Sequence, residues 1–207
     1  MVRISGPRFV FLMHASLPSS ALLNISGHRY FSVYFGTRSS GIDWNSSVPN
    51  PQMPNRETLE QIIEAGLYAA SGHGMQSSIV VTVTDKKLRD RLMEMNRLIG
   101  GWQEGFDPFY GAPAVLLVLA DKSSPNHVYD GSLTMGNMML AAHTLGLGSC
   151  WINRAREEFD SDEGKAILRE LGIEGDWEGI GHCIVGVPEG DEPKPVPRKP
   201  GRVFWVE

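Results

Sequence analysis

Apolar residues in the first half of the chain recur first at helical and then at strand spacing. After Asn55, a residue type that caps helices, they fall every three or four positions from Leu59 to Ala70, which predicts a helix. Residues 78–84 are rich in β-branched side chains and predict a strand. Asp85 can then cap a second helix that carries apolar residues along one face.

The second half of the chain continues this alternation of helices and strands. Residues 114–120 form an unbroken apolar run, which is typical of a central strand covered on both faces. Residues 149–152 and 181–187 predict two more strands, with a helix at about 162–171 that ends at Gly172. Strands that alternate with helices predict a sheet covered by helices. The proline-rich tail that follows is expected to be extended.

The segment 130–154 combines features that suit a wall of a cofactor site. We expect Asp130 to cap a helix whose residues are apolar or small on every side, and such a helix belongs in the middle of a domain. Gly146 fits the left-handed position that closes a helix. Gly148 has no side chain, so a planar group could approach the backbone of the following strand there.

Composition and charge narrow the class of protein. The 207 residues suffice for one domain with a substantial core. The net charge is −5 and basic residues do not cluster, so no nucleic-acid partner is expected, and no apolar run has the length of a membrane span. Cysteines and histidines lack metal-ligand spacing. Cys150 and Cys183 fall in predicted buried strands, and two cysteines are too few for a disulfide framework, which favours a reducing cytoplasm.

The N-terminal residues 1–36 form an extension that matches no known pattern. No acidic residue precedes Asp43, and arginines are scattered among serines. The extension is predicted to be a poorly ordered leader, or to come from a start site placed too far upstream. A cleaved targeting segment is the alternative.

Four blocks of sequence, in this order, resemble the nitroreductase family of FMN-dependent oxidoreductases. Together they span about residues 53–203. The first block is a helix at 57–67 followed by Ala69-Ala70-Ser71-Gly72-His73-Gly74-Met75-Gln76, and the second is Phe109-Tyr110-Gly111-Ala112-Pro113. The third block is Gly146-Leu147-Gly148-Ser149-Cys150-Trp151-Ile152. The fourth is Gly181-His182-Cys183-Ile184-Val185-Gly186-Val187-Pro188, with Arg198 and Lys199 beyond it.

The resemblance implies a fold, a cofactor and a reaction. The fold would be an α+β three-layer αβα sandwich over residues 37–207, with a central, mainly antiparallel sheet flanked by helices. The protein would be a homodimer that binds FMN at the subunit interface. It would pass electrons from NADH or NADPH through FMN to an electron-poor acceptor, such as a nitroaromatic or a quinone, by a ping-pong mechanism. Flavin N5 would carry the chemistry, so no catalytic side chain is expected.

The resemblance also assigns site residues in four groups. The flavin ring would be lined by Gly148, Cys150, Trp151, Ile152 and Asn153. Polar contacts to the flavin would come from Ser71, Gly72, His73, Gly74 and Gln76. The phosphate would be held by Arg38, Ser39, Ser40, Arg198 and Lys199. The candidates for facing the substrate are Trp102, Phe106, Phe109 and Tyr110, and about half of them are expected to have a plain core role instead.

The chain departs from the family pattern at three places. Gly74 stands where the family commonly has Asn, so a side-chain amide contact is missing there, and Ala70 replaces a proline. The N-terminal phosphate motif around Arg38 lacks its second basic residue.

Three alternatives remain open from the residues. A specialised flavoprotein on the same scaffold, such as a reductive dehalogenase or an ene-reductase, would share these motifs, and so would a flavin-binding protein with little turnover. Cys150 and His182 could form a thiol nucleophile and its base, but a satisfied core histidine is the favoured interpretation.

Overall fold

The computed structural model describes residues 34–35, 52–188 and 198–207 of the chain. All of these residues belong to one compact unit, Phe31–Glu207. Of the expected N-terminal extension, only strand β1, Tyr34–Phe35, lies within the described residues. The phosphate residues Arg38, Ser39 and Ser40, and residues 189–197 of the expected extended tail, lie outside them.

The described strands form one sheet with the order β1-β4-β5-β3-β2. Neighbouring strands from β4 to β2 are antiparallel, and only the short edge strand β1 pairs in parallel, with β4. The expectation of a mainly antiparallel sheet is therefore confirmed. After β1, the strands are β2 (Ser78–Val83), β3 (Ala114–Asp121), β4 (Gly148–Ile152) and β5 (Trp177–Gly186).

Two helices cover one face of the sheet. Helix α1, Arg56–Leu67, begins at Asn55, whose side chain accepts a hydrogen bond from the backbone N–H of Thr58 at 2.8 Å. Helix α3, His127–Thr144, crosses α1 so closely at Gly66 that a Cβ there would overlap the side chain of Met138. Both helices pack on the even-numbered residues of β3, so these side chains lie in a dry apolar layer.

Three further helices cover the opposite face. Helix α2, Lys86–Ile99, begins at Asp85, which caps it as expected by accepting a hydrogen bond from the Leu88 N–H at 2.9 Å. Helices α4, Ala155–Asp160, and α5, Asp162–Glu170, complete this layer. They bury the odd-numbered residues of β3. The unbroken apolar run of β3 thus reflects burial on both faces, and the three-layer αβα architecture is confirmed.

The structure corrects several expectations about these elements. Helix α3 starts at His127, so Asp130 lies inside it and does not cap it. One face of α3 is exposed in the single chain, so the expectation of burial on every side is correct for the other face only. Strand β5 begins four residues earlier than the apolar run suggested. Helix α4 was not expected because it is six residues long, mostly charged, and preceded by Arg154 in place of a usual capping residue.

Within the described part of the chain, no helix combines the length and the apolar character that a membrane crossing requires.

Candidate functional site

The loop after α1 has a strained backbone. A single 3₁₀ turn, Gly72–Gly74, contains His73 at a φ of 54°, and Gln76 has a φ of 51°. The left-handed conformation costs a non-glycine residue about 1–2 kcal/mol, so other contacts must hold the loop in this shape. The side chains from His73 to Gln76 are exposed, and the hydroxyl of Ser71 accepts a hydrogen bond from the Gln76 N–H at 3.0 Å. The turn residues expected here therefore form an ordered, solvent-facing rim.

Asp130 of helix α3 fixes this loop from beneath. Its carboxylate is 4% exposed. One oxygen accepts a hydrogen bond from the Gly72 N–H and the other from the Ser77 hydroxyl, both at 2.8 Å. Asp130 thus binds both ends of the loop to α3, a role that replaces the expected helix cap. A single carboxylate in a helix whose other residues are uncharged or weakly polar was the sequence signal for such an anchor.

The end of strand β4 presents mainly backbone. The side chains of Cys150 and Ile152 belong to the core, at 0% and 5% exposure, so they can offer only their main chain to a ligand. Trp151 is half-buried and lies over Gly181 of β5, where a Cβ would meet its indole ring. Asn153, directly after the strand, is exposed.

Gly148 opens strand β4 with some free space. A Cβ built on it would lie 3.7 Å from the Gly186 carbonyl oxygen and from the Pro188 side chain, which is ordinary contact. The described residues therefore leave room for a side chain at Gly148, and none of them requires a glycine there.

A cleft of about 350 Å³ lies beside the end of β4. This volume is near the lower limit for small-molecule sites. Arg154 adopts a left-handed backbone conformation, with a φ of 81°, and its guanidinium lies 4.4 Å from the centroid of the Trp102 ring. The lining residues are Asn153, Arg154, Arg156, Glu157 and Ile180.

Three of the four expected substrate-facing residues form a row of rings that begins beside Arg154. The ring centroids of Trp102 and Phe106 are 5.0 Å apart, and those of Phe106 and Tyr110 are 6.3 Å apart. All three side chains are half-buried. Phe109 is different, because it is fully buried and packs against His182 at 5.1 Å. Its substrate-facing assignment is therefore corrected to a core role.

His182 is a core histidine, as expected, and not part of a thiol dyad, but neither of its ring nitrogens has a hydrogen-bond partner among the described residues, so the expectation that it is satisfied is wrong. Its Nε2 lies 3.0 Å from Oε2 of Glu158, although the pair is not aligned for a hydrogen bond, and both side chains are 0% exposed. Cys150 is equally buried, so a substrate has no path to its sulfur. Burial also raises the pKa of the Cys183 thiol far above its usual range, which disfavours a reactive thiolate there.

The basic residues expected to hold a phosphate lie in the C-terminal segment. Arg198 and Lys199 are both exposed, as is the apolar stretch that follows them, Val203–Val206. Exposure leaves the two cationic groups accessible to an anionic ligand.

Comparisons with known proteins establish the family of the chain. The Nitroreductase family profile matches residues 50–187, about two thirds of the chain. The chain belongs to the nitroreductase family. A search of curated proteins gave no significant match.

Solved structures of this fold include several with FMN. A nitroreductase with bound FMN from Bacteroides fragilis NCTC 9343 has a TM-score of 0.68 and 26% identity, covering 76% of this chain and 91% of its own. A nitroreductase with bound FMN from Desulfitobacterium hafniense DCB-2 has a TM-score of 0.68 and 23% identity, covering 76% and 90%. An oxidized iodotyrosine deiodinase bound to FMN and 3-iodo-L-tyrosine has a TM-score of 0.59 and 22% identity, covering 76% and 91%.

Proposed function

We propose that this protein binds FMN and passes electrons from NADH or NADPH to an electron-poor acceptor such as a nitroaromatic or a quinone. The proposal is carried by the loop at residues 71–76, which faces solvent and is anchored by Asp130 in a chain that belongs to the nitroreductase family. The two buried cysteines form no disulfide, which fits a reducing cytoplasm as the setting.

The described residues fit FMN in three respects. The loop at 71–76 offers exposed polar groups on a fixed backbone. The end of β4 offers main chain beside a cleft, with space left open at Gly148. Arg198 and Lys199 offer two charges to a phosphate, which accepts paired hydrogen bonds from Arg and a point charge from Lys.

The protein's own residues bind and orient, while FMN, when bound, supplies the hydride and electron transfer. Asp130 keeps the loop at 71–76 in one conformation, so its polar groups need no rearrangement to meet a ligand. Arg154 lines the cleft with a half-buried side chain, and Trp102 packs against its guanidinium and so holds it in place.

We also propose that the protein is a homodimer with the flavin at its interface. Large apolar residues on helix α3 are exposed in the single chain, among them Tyr129 at 71% and Leu133 at 50%. An exposed apolar patch of this kind marks a protein interface. The open cleft of about 350 Å³ is small for FMN, so a second chain would supply further walls. Leu133→Glu is expected to turn a dimer into a monomer on size-exclusion chromatography with light scattering.

The proposed function is tested on the purified full chain. We expect a yellow protein that releases FMN on denaturation, identified by mass spectrometry, and that oxidises NADH or NADPH when a nitroaromatic or a quinone is added. A colourless protein that also fails to bind added FMN would refute the proposal.

A specialised reductive dehalogenase is the second candidate, because a deiodinase that binds 3-iodo-L-tyrosine has the same fold. Release of iodide from iodotyrosine by the reduced protein, without turnover of nitroaromatics or quinones, would favour it. Bound FMN with no turnover of any of these acceptors would indicate a flavin-binding protein, in agreement with the missing side chain at Gly74.

A further inference from the structure

A buried polar cluster connects helix α2 to the turn that follows β4. Asn96 of α2 is 0% exposed, and its Nδ2 donates hydrogen bonds to the Asn153 carbonyl oxygen at 2.7 Å and to Oε1 of Glu158 at 2.6 Å. Glu158 in turn lies beside His182 of β5. Polar groups of this kind are costly to bury, and an apolar side chain would fill the same layer with less penalty. The cluster therefore calls for a role other than packing.

The residue type at position 96 matches the task of holding two acceptors. A carboxamide nitrogen carries two N–H groups, which suit one carbonyl oxygen and one carboxylate oxygen. Leucine would offer no donor, and an ionised aspartate would offer only acceptors beside Glu158. Asn96 is therefore the link through which the core holds the Asn153 carbonyl.

Fixing this carbonyl also fixes the next N–H. The peptide between Asn153 and Arg154 is planar and trans, so its C=O and N–H point in opposite directions. With the carbonyl held inward by Asn96, the Arg154 N–H points away from α2. The cleft lined by Asn153 and Arg154 lies at this turn. Among the described residues, no backbone carbonyl accepts a hydrogen bond from the Arg154 N–H.

The side chain of Arg154 clamps the same turn from the outer side. Its guanidinium stacks on Trp102, and its carbonyl oxygen accepts the first hydrogen bond of α4, from the Glu158 N–H at 3.0 Å. The turn thus has an inner attachment to Asn96 and an outer one to Trp102. Two attachments explain how a non-glycine residue persists in the left-handed conformation there.

We propose that Asn96 is a positioning residue that aims the Arg154 N–H into the cleft as a hydrogen-bond donor for the flavin ring. The proposal rests on the proposed FMN function. Asn96 acts only through the Asn153–Arg154 peptide, because its own side chain is buried.

The test compares Asn96→Leu with Leu92→Ala in the full chain. Leu92 is the matched control, since it lies one turn earlier on α2, is 1% exposed and belongs to the core layer that borders Asn96. Both variants should lower the melting temperature. Only Asn96→Leu should weaken FMN binding, by about tenfold or more in a fluorescence titration, as expected for loss of one well-aimed hydrogen bond.

A second readout needs no flavin. Hydrogen exchange at the amides of residues 153–156, measured on flavin-free protein by mass spectrometry, should become faster in Asn96→Leu than in Leu92→Ala. If Asn96→Leu does not fold, Asn96→Ser, which is smaller and leaves room for water, is measured in its place with the same expected direction.

The outcomes separate this proposal from the proposed function. Native FMN affinity and native exchange at the turn in the Asn96 variant would overturn the positioning role. Equal loss of FMN affinity in both variants would overturn it too, because stability alone would then explain the effect. If the wild-type protein binds no FMN, the proposed function fails, and the exchange measurement still decides whether Asn96 holds the turn.

Discussion

Replacing Asp130 should both destabilise the domain and loosen the loop at residues 71–76. A hydrogen bond to a charged acceptor contributes about 1.5–3 kcal/mol, and Asp130 accepts two, so Asp130→Ala should cost about 3–6 kcal/mol. That is a large share of the roughly 5–15 kcal/mol that stabilises an ordinary domain. Asp130→Asn keeps one oxygen for the Gly72 N–H but loses the charge, so about half of this loss is expected.

The assay is urea unfolding of the flavin-free protein, followed by FMN titration of the variants that fold. The control is Thr134→Val, because Thr134 lies one turn after Asp130 on α3 and is equally buried. This change removes only the hydrogen bond from the Thr134 hydroxyl to the Asp130 backbone oxygen, which should cost less than about 1 kcal/mol. Released from Asp130, the loop no longer holds His73 and Gln76 in left-handed conformations, so FMN affinity should fall about tenfold or more. An unchanged urea midpoint and FMN affinity in Asp130→Asn, or equal losses in Thr134→Val, would refute the reasoning.

Three other changes give distinct outcomes. Replacing Arg198 and Lys199 together by Ala should weaken FMN binding by about tenfold or more in a fluorescence titration, whereas unchanged affinity would mean that they are solvated surface charges. Gly148→Val should keep the fold, since a Cβ there meets only ordinary contacts at 3.7 Å, yet bind less FMN; full occupancy by absorbance would remove Gly148 from the site. The hydrogen bond to Glu178 raises the pKa of His127 in the folded protein above its value in the unfolded chain. The pair therefore stabilises the fold fully at a pH below the pKa that His127 has in the unfolded chain, and this stabilisation is lost as the pH rises through the pKa of His127 in the folded protein. His127→Gln should therefore lower the melting temperature at pH 5.5 more than at pH 8.5, and equal losses at both would contradict this.

The periodic part of the fold could be predicted from the sequence because local chemistry specifies it. Asn55 and Asp85 cap their helices as their residue types suggest, and the apolar run of β3 is buried on both faces. Helix α4 could not be predicted in this way. It is held by Arg154, whose left-handed conformation depends on contacts with Trp102 and the core, and no local pattern encodes those contacts.

The two anchors of the candidate site differ in how visible they are in the sequence. Asp130 stands out as a carboxylate among small and apolar residues, so its burial could be inferred even though its partners, Gly72 and Ser77, could not. Asn96 lies in a helix rich in charged and polar residues, where an amide is unremarkable. Only the packing of α2 against α4 shows that it faces the core. The sequence motifs indicated which backbone segments to consider for the candidate site, while the side chains that hold those segments in place come from other elements and depend on tertiary contacts. Variants of such anchors should therefore change ligand affinity without touching the ligand.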